Sequence, residues 1–111
     1  MPDTPETLRD AGILEAVEHA DAVTPRWSER AFDALVDFLR APRAGFMAED
    51  VRAYAENRGL PVPPDPRAWG GVFQPAARAG LIQKAGYDTS RNAHAHLRPT
   101  QVWCVAQREA A

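Results

Sequence analysis

The chain has 111 residues, 45% of them apolar and 25% charged, with a net charge of −2, which suits one domain with a modest core and leaves little room for a second. No apolar run approaches the roughly 20 residues a membrane helix needs, and the first residues are acidic and polar, unlike a secretory signal, so a cytoplasmic protein with no membrane partner is expected. The single cysteine, Cys104, excludes an internal disulfide, and its place in an apolar strand pattern points to a buried thiol, not a nucleophile.

From the N-terminus, Thr4-Pro5 reads as a helix cap followed by a first-turn proline, with Glu6 at the positive end of the helix. Leu8, Ala11, Leu14 or Ile13, Val17 and Ala20 then form an apolar stripe to about Ala22. Thr24-Pro25 repeats the start signal, and Trp27, Ala31, Phe32, Leu35, Val36, Phe38 and Leu39 make a broad apolar face ending before Pro42. Gly45-Phe46-Met47 fits a short edge strand. Glu49-Asp50 open a third helix through Val51, Tyr54 and Ala55 to Asn57-Arg58, stopped by Gly59. Leu60-Pro61-Val62-Pro63-Pro64 is too rich in proline for helix or central strand.

Asp65 caps a fourth helix with Pro66 at its first position. Trp69, Val72, Phe73, Ala76 and Ala77 share one face, leaving Arg67, Gly70, Gly71, Gln74 and Arg78 pointing elsewhere. Gly70 and Gly71 suit either close approach to phosphate or tight packing of the third helix. Pro75 deletes the amide bond to Gly71, so the helix is expected either to kink there or to end near Phe73 and restart. Gly80 stops it. Residues 81–85 and 100–105 have strand composition, joined by a long polar turn from Gly86 to Arg98. Trp69, Phe73 and Trp103 are expected to pack together beneath this hairpin, and Tyr87 either caps the hairpin core or reaches a phosphate.

The resulting class is mainly α with a small antiparallel β-hairpin. Its order is that of a winged helix-turn-helix domain over 24–107, with an N-terminal helical extension over 1–23 and a frayed end over 108–111. The extension either completes the core or pairs with its copy in a homodimer. Charge is uneven along the chain: residues 1–64 carry twelve acids and seven arginines, whereas residues 65–111 carry six bases and three acids. Between Arg67 and Arg108 the only acid is Asp88. A basic side coinciding with helix and hairpin, and an acidic side elsewhere, is the layout expected of a protein that docks on double-stranded DNA.

The residues that would make contact follow from position. Arg67 stands in the first turn, the end that enters a major groove. Gln74 lies farther along the same face to read a base edge, Arg78 and Lys84 meet the backbone, and Arg91, His94, His96 and Arg98 on the wing suit phosphate or the minor groove. His94 and His96, two apart, are a pair where a metal site wants three or four ligands, so no metal or other cofactor is expected. The chain carries no glycine-rich phosphate loop, Walker lysine, serine elbow or paired-cysteine motif, which argues against an enzyme.

From about Phe46 onward the chain also resembles small winged-helix proteins of bacteriophages and prophages, often those of high-GC bacteria. The likeness lies in Phe46-Met47-Ala48-Glu49-Asp50-Val51, Pro66-Arg67-Ala68-Trp69-Gly70, Ala76-Ala77-Arg78-Ala79-Gly80-Leu81-Ile82, Gly86-Tyr87, Ser90-Arg91, His94 to Arg98 and Val102-Trp103. It implies a winged helix in a bacterial host cell and, as function, DNA binding by a transcription regulator or an accessory replication factor. Winged helices also serve as protein adaptors. The alternative is therefore an interaction module that binds a host or phage protein through the acidic N-terminal helices.

Overall fold

A computed structural model describes residues 5–41, 45–89 and 99–106. In chain order they form α1 (Pro5–Val23), α2 (Trp27–Phe38), α3 (Ala48–Asn57), a 3₁₀ turn (Pro66–Trp69), α4 (Gly70–Arg78), β1 (Ile82–Thr89) and β2 (Pro99–Val105). The fold is mainly helical with a small two-stranded antiparallel sheet.

The second helix starts later than its sequence suggests. Thr24 and Pro25 lie in the turn before it, and Arg26 takes the left-handed conformation (φ 63°) at the cap position with no side-chain cap of its own. The capping oxygen comes instead from α1. Asp21 accepts from the Ser28 backbone amide and the Ser28 hydroxyl, both at 2.8 Å, satisfying a donor that the first turn of a helix leaves open. From there α2 buries Trp27, Ala31, Leu35 and Phe38, one stripe at helical spacing. α3 begins with half of a capping box, the Asp50 carboxylate accepting from the Met47 amide at 2.8 Å.

The core lies between α2, α3, the 3₁₀ turn and α4. Trp27 and Trp69 meet edge to face with centroids 5.3 Å apart, and Phe38 contacts Phe46 and Tyr54 in the same manner, an arrangement favoured by the ring quadrupoles. Leu35, Val51, Val72 and Ile82 are fully enclosed, each stabilising the fold by about 1.5–3 kcal/mol relative to exposure. The proline segment serves this core: Leu60 and Pro63 are buried, and the Pro61 carbonyl accepts from the Trp27 indole N–H at 2.9 Å.

β1 and β2 pair antiparallel from Ile82↔Val105 to Thr89↔Pro99, with Ala85 unpaired in a bulge between Lys84 and Gly86. Gly86 at φ 110° supplies the conformation that such a bulge requires, and the Gln101 side-chain amide donates to the Gly86 carbonyl at 2.9 Å. The first strand thus runs through the bulge to Thr89, where the sequence suggested a turn from Gly86 onward. The expected edge strand at 45–47 is a single bridge. Phe46 and Trp103 exchange both backbone hydrogen bonds, at 2.8 and 2.7 Å, tying the segment before α3 to the free edge of β2.

Three further expectations need correction. Of the alternatives Leu14 and Ile13 the stripe of α1 takes Ile13, and Ala11 does not belong to it: Ala16 and Ala20 are buried, Ile13 and Val17 are half-buried, Ala11 is exposed and Leu14 is 59% exposed. Cys104 is half-buried and free, not enclosed. Of the two outcomes left open at Pro75 the break is overturned: α4 runs from Gly70 to Arg78 with Pro75 inside it, and the change of helical type falls earlier, where the 3₁₀ turn passes into α4 at Gly70.

Candidate nucleic-acid interface

The side chains of α4 divide as its spacing predicts. Val72, Phe73 and Ala76 are buried, and Trp69, Phe73 and Trp103 form a continuous row, with centroids 6.4 Å and 5.7 Å apart. Opposite them runs the stripe Arg67, Gly70, Gly71, Gln74 and Arg78, which sequence reasoning left free for a partner. It is not free. α1 packs chiefly on the 3₁₀ turn, and also on α2 and α4, and its Ile13 and Val17 lie against this stripe.

The two glycines show how closely. A Cβ on Gly70 would fall 2.9 Å from the Ile13 Cδ1, and one on Gly71 would overlap the Val17 Cγ2. These positions therefore serve neither phosphate nor α3; they admit the first helix, whose aliphatic side chains sit on bare backbone. The extension completes the molecule by covering α4, and its buried Ala16 and Ala20 join the main core.

Polar contacts along the seam follow the same register. Gln74 donates to Asp10 at 3.4 Å, a long hydrogen bond. The Arg67 guanidinium reaches over Gly12, where an added Cβ would lie 2.8 Å from one of its terminal nitrogens. Arg67 is also bound to its own helix cap. Asp65 accepts from the Arg67 backbone amide at 2.9 Å and from its guanidinium at 3.0 and 2.6 Å. That pairing holds the Asp65 carboxyl below the usual carboxylate range, chiefly through the guanidinium hydrogen bonds and then the backbone amide, with a smaller contribution from His19. The Arg67 guanidinium is held more firmly protonated by Asp65, with Glu15 adding its field. A recess between α1 and the turn is lined by Glu15, Ala16, His19, Asp65 and Arg67.

The charge layout expected from sequence therefore changes. The acidic and basic parts of the chain do not occupy wholly separate sides: Asp10 of α1 meets Gln74, and Glu15 lies beside Arg67. Arg67 is a partnered cation at a helix junction. Gln74 is half-covered. Arg78, at the end of α4, is exposed and makes no ion pair among the described residues. Lys84 is exposed on β1 opposite Trp103, on the sheet face that also carries Ile82. Arg91, His94, His96 and Arg98 lie outside the described residues, as does the Tyr87 side chain.

One cluster was missed by sequence reasoning. On the side formed by α2 and α3, the Tyr54 hydroxyl donates to Asp37, Arg40 and Arg58 each stand 3.6 Å from that carboxylate, and the Arg58 guanidinium lies 4.5 Å above the Tyr54 ring. The Tyr54 hydrogen bond is the main cause that lowers the Asp37 pKa, with Arg58 and Arg40 adding to it. The cluster joins two helices across a sequence separation that local spacing does not reveal.

Compared with known proteins, the chain matches no family model, no curated protein and no solved structure. No described helix is long and apolar enough to cross a membrane.

Proposed function

We propose that the chain is a winged-helix protein that binds duplex DNA through its hairpin and the adjoining end of α4. The observation that carries this reading is the juxtaposition of α3, the turn and α4 with a bulged hairpin whose root is bridged to Phe46 and packed on Phe73. In it Lys84 on β1 follows closely on Arg78 at the end of α4, and the sequence continues with the cations Arg91, His94, His96 and Arg98. With α1 in place, the first turn of α4 does not enter a groove. Contact then falls to Arg78, Lys84 and the wing cations Arg91, His94, His96 and Arg98, acting mainly on phosphates, which position a protein without reading sequence.

A regulator or an accessory replication factor of phage or prophage type fits this reading, in a bacterial cytoplasm. Gel shifts with a random-sequence duplex at 50 and 200 mM salt test it. Affinity is expected to fall steeply between the two, with a log–log slope of about −0.9 per phosphate contact. Arg78→Ala and Arg91→Ala should each reduce that slope by about 1 while weakening binding alike on all sequences. Absence of binding at 50 mM salt would refute the proposal.

A second reading has its own support. Leu14 and Val23 stand 59% and 61% exposed on an acidic helix, and Leu14 borders an open groove whose apolar lining is Ile13, Leu14, Val17 and Pro75, with Asp10, Gln74 and Arg78 at its polar edge. A protein partner held there by apolar burial would bind with little dependence on salt.

A further inference from the structure

We infer that α1 is a detachable lid over α4, and that duplex DNA binds more tightly to the form in which it has moved away. The inference rests on the DNA-binding reading above and concerns regulation of that same surface.

Two features of the seam support it. First, the lid is complementary in charge to what it covers. α1 carries five acids and one arginine, and it brings Asp10 to Gln74 and Glu15 to Arg67. Two carboxylates of α1 thus lie along the stripe opposite the buried face of α4. Second, the seam is thin. Among its described residues α1 buries only Ala16 and Ala20 outright, while Ile13 and Val17 are half-covered and Leu14 is exposed. An open groove remains between the two helices, lined by Asp10, Ile13, Leu14, Val17, Gln74 and Arg78.

Occupation of α4 by its own chain reduces affinity for an external anion in proportion to the fraction of time the lid is open, so a lid that is mostly closed weakens binding most. Arg67, Gln74 and Arg78 line the seam that α1 covers, so duplex binding to that stripe and lid closure compete for the same surface.

A reversible lock tests this in the full-length chain. A Cβ built on Gly71 lies 3.7 Å from that of Val17, within the roughly 3.5–4.5 Å a disulfide spans. Val17→Cys and Gly71→Cys, in a Cys104→Ser background, should therefore cross-link α1 to α4 on oxidation without changing any charge. Affinity for a random-sequence 20-base-pair duplex is measured at 50 mM salt, oxidised and reduced. The expected result is binding about tenfold weaker when oxidised, restored by reductant. As a second, charge-neutral variant, Ile13→Ala with Val17→Ala should loosen the lid and strengthen binding severalfold over the unmodified protein. Equal duplex affinity in the oxidised, reduced and alanine forms would overturn the lid while leaving DNA binding intact. If none of these forms binds duplex, the DNA-binding reading fails, and the lid inference with it.

Discussion

The two faces of α4 are packed in different ways. Inward, Trp69, Val72, Phe73 and Ala76 meet Trp27, Leu35 and Trp103 through large rings and branched side chains with almost no exposed surface. Outward, Gly70 and Gly71 meet Ile13 and Val17 across bare backbone, flanked by charged and polar groups and an open groove. The inner contact is made of area, which resists separation in proportion to what is buried. The outer contact is made of proximity and charge, which water and competing ions can replace. One short helix therefore has a permanent face and an exchangeable one.

Substitutions that strike one face and not the other sharpen that contrast. The largest effect belongs to the inner face. Trp27→Ala removes a fully buried ring and its bond to Pro61, and urea titration should find a loss of about 3–5 kcal/mol; a loss under 1 kcal/mol would mean the core is not organised around the Trp27–Trp69 pair. On the outer face, Gly71→Ala sets helix propensity, which favours alanine by about 1 kcal/mol, against overlap with Val17, which costs about 1–3 kcal/mol. The overlap should prevail. Combining Gly71→Ala with Val17→Ala should recover most of the loss, a coupling that a double-mutant cycle measures directly. Independent, additive effects would show that the two residues do not touch.

Smaller effects concern how the helices are tied. Asp21→Ala deprives α2 of its borrowed cap and should cost about 1 kcal/mol by the same titration, since Arg26 offers no oxygen in exchange. The smallest is a pH effect. Asp37 has its pKa lowered in the folded protein, mainly by Tyr54, so it contributes stability above the unfolded carboxylate pKa of about 3.9. That contribution is lost as pH falls through the lowered folded value. Tyr54→Phe should flatten the acid limb of a melting-temperature profile between about pH 5 and 2, with little change near neutrality beyond a constant offset. An unaltered acid limb would remove Tyr54 from that role.

Much of the inner face was legible in the sequence because helical spacing records burial. The stripes of α2 and α4, the Asp65-Pro66 start and the Phe46 edge contact all follow from local pattern. The start of α2 was not legible, because its cap lies in the preceding helix and a serine two residues inside the helix carries no sign of an aspartate seven positions back. The outer face misled for a related reason. A polar, glycine-containing stripe has the same pattern whether it meets water, DNA or another helix, so Arg67 and Gln74 read as open contacts although Asp65 and Asp10 already engage them. The missing signal was in α1: Ile13 and Val17, four apart beside Gly12, form a small aliphatic ridge that suits a double glycine. Local periodicity identifies a ridge; it does not identify the groove that receives it.

Native-state hydrogen exchange on the full chain, with and without duplex DNA, tests the separation of the two faces most directly. The account predicts that amides of α1 from Gly12 to Val17 open at lower free energy than those of Ala31–Leu35 in α2, and that saturating duplex further reduces their protection while leaving α2 unchanged. If α1 exchanged only with global unfolding and was indifferent to DNA, the exchangeable face would be contradicted.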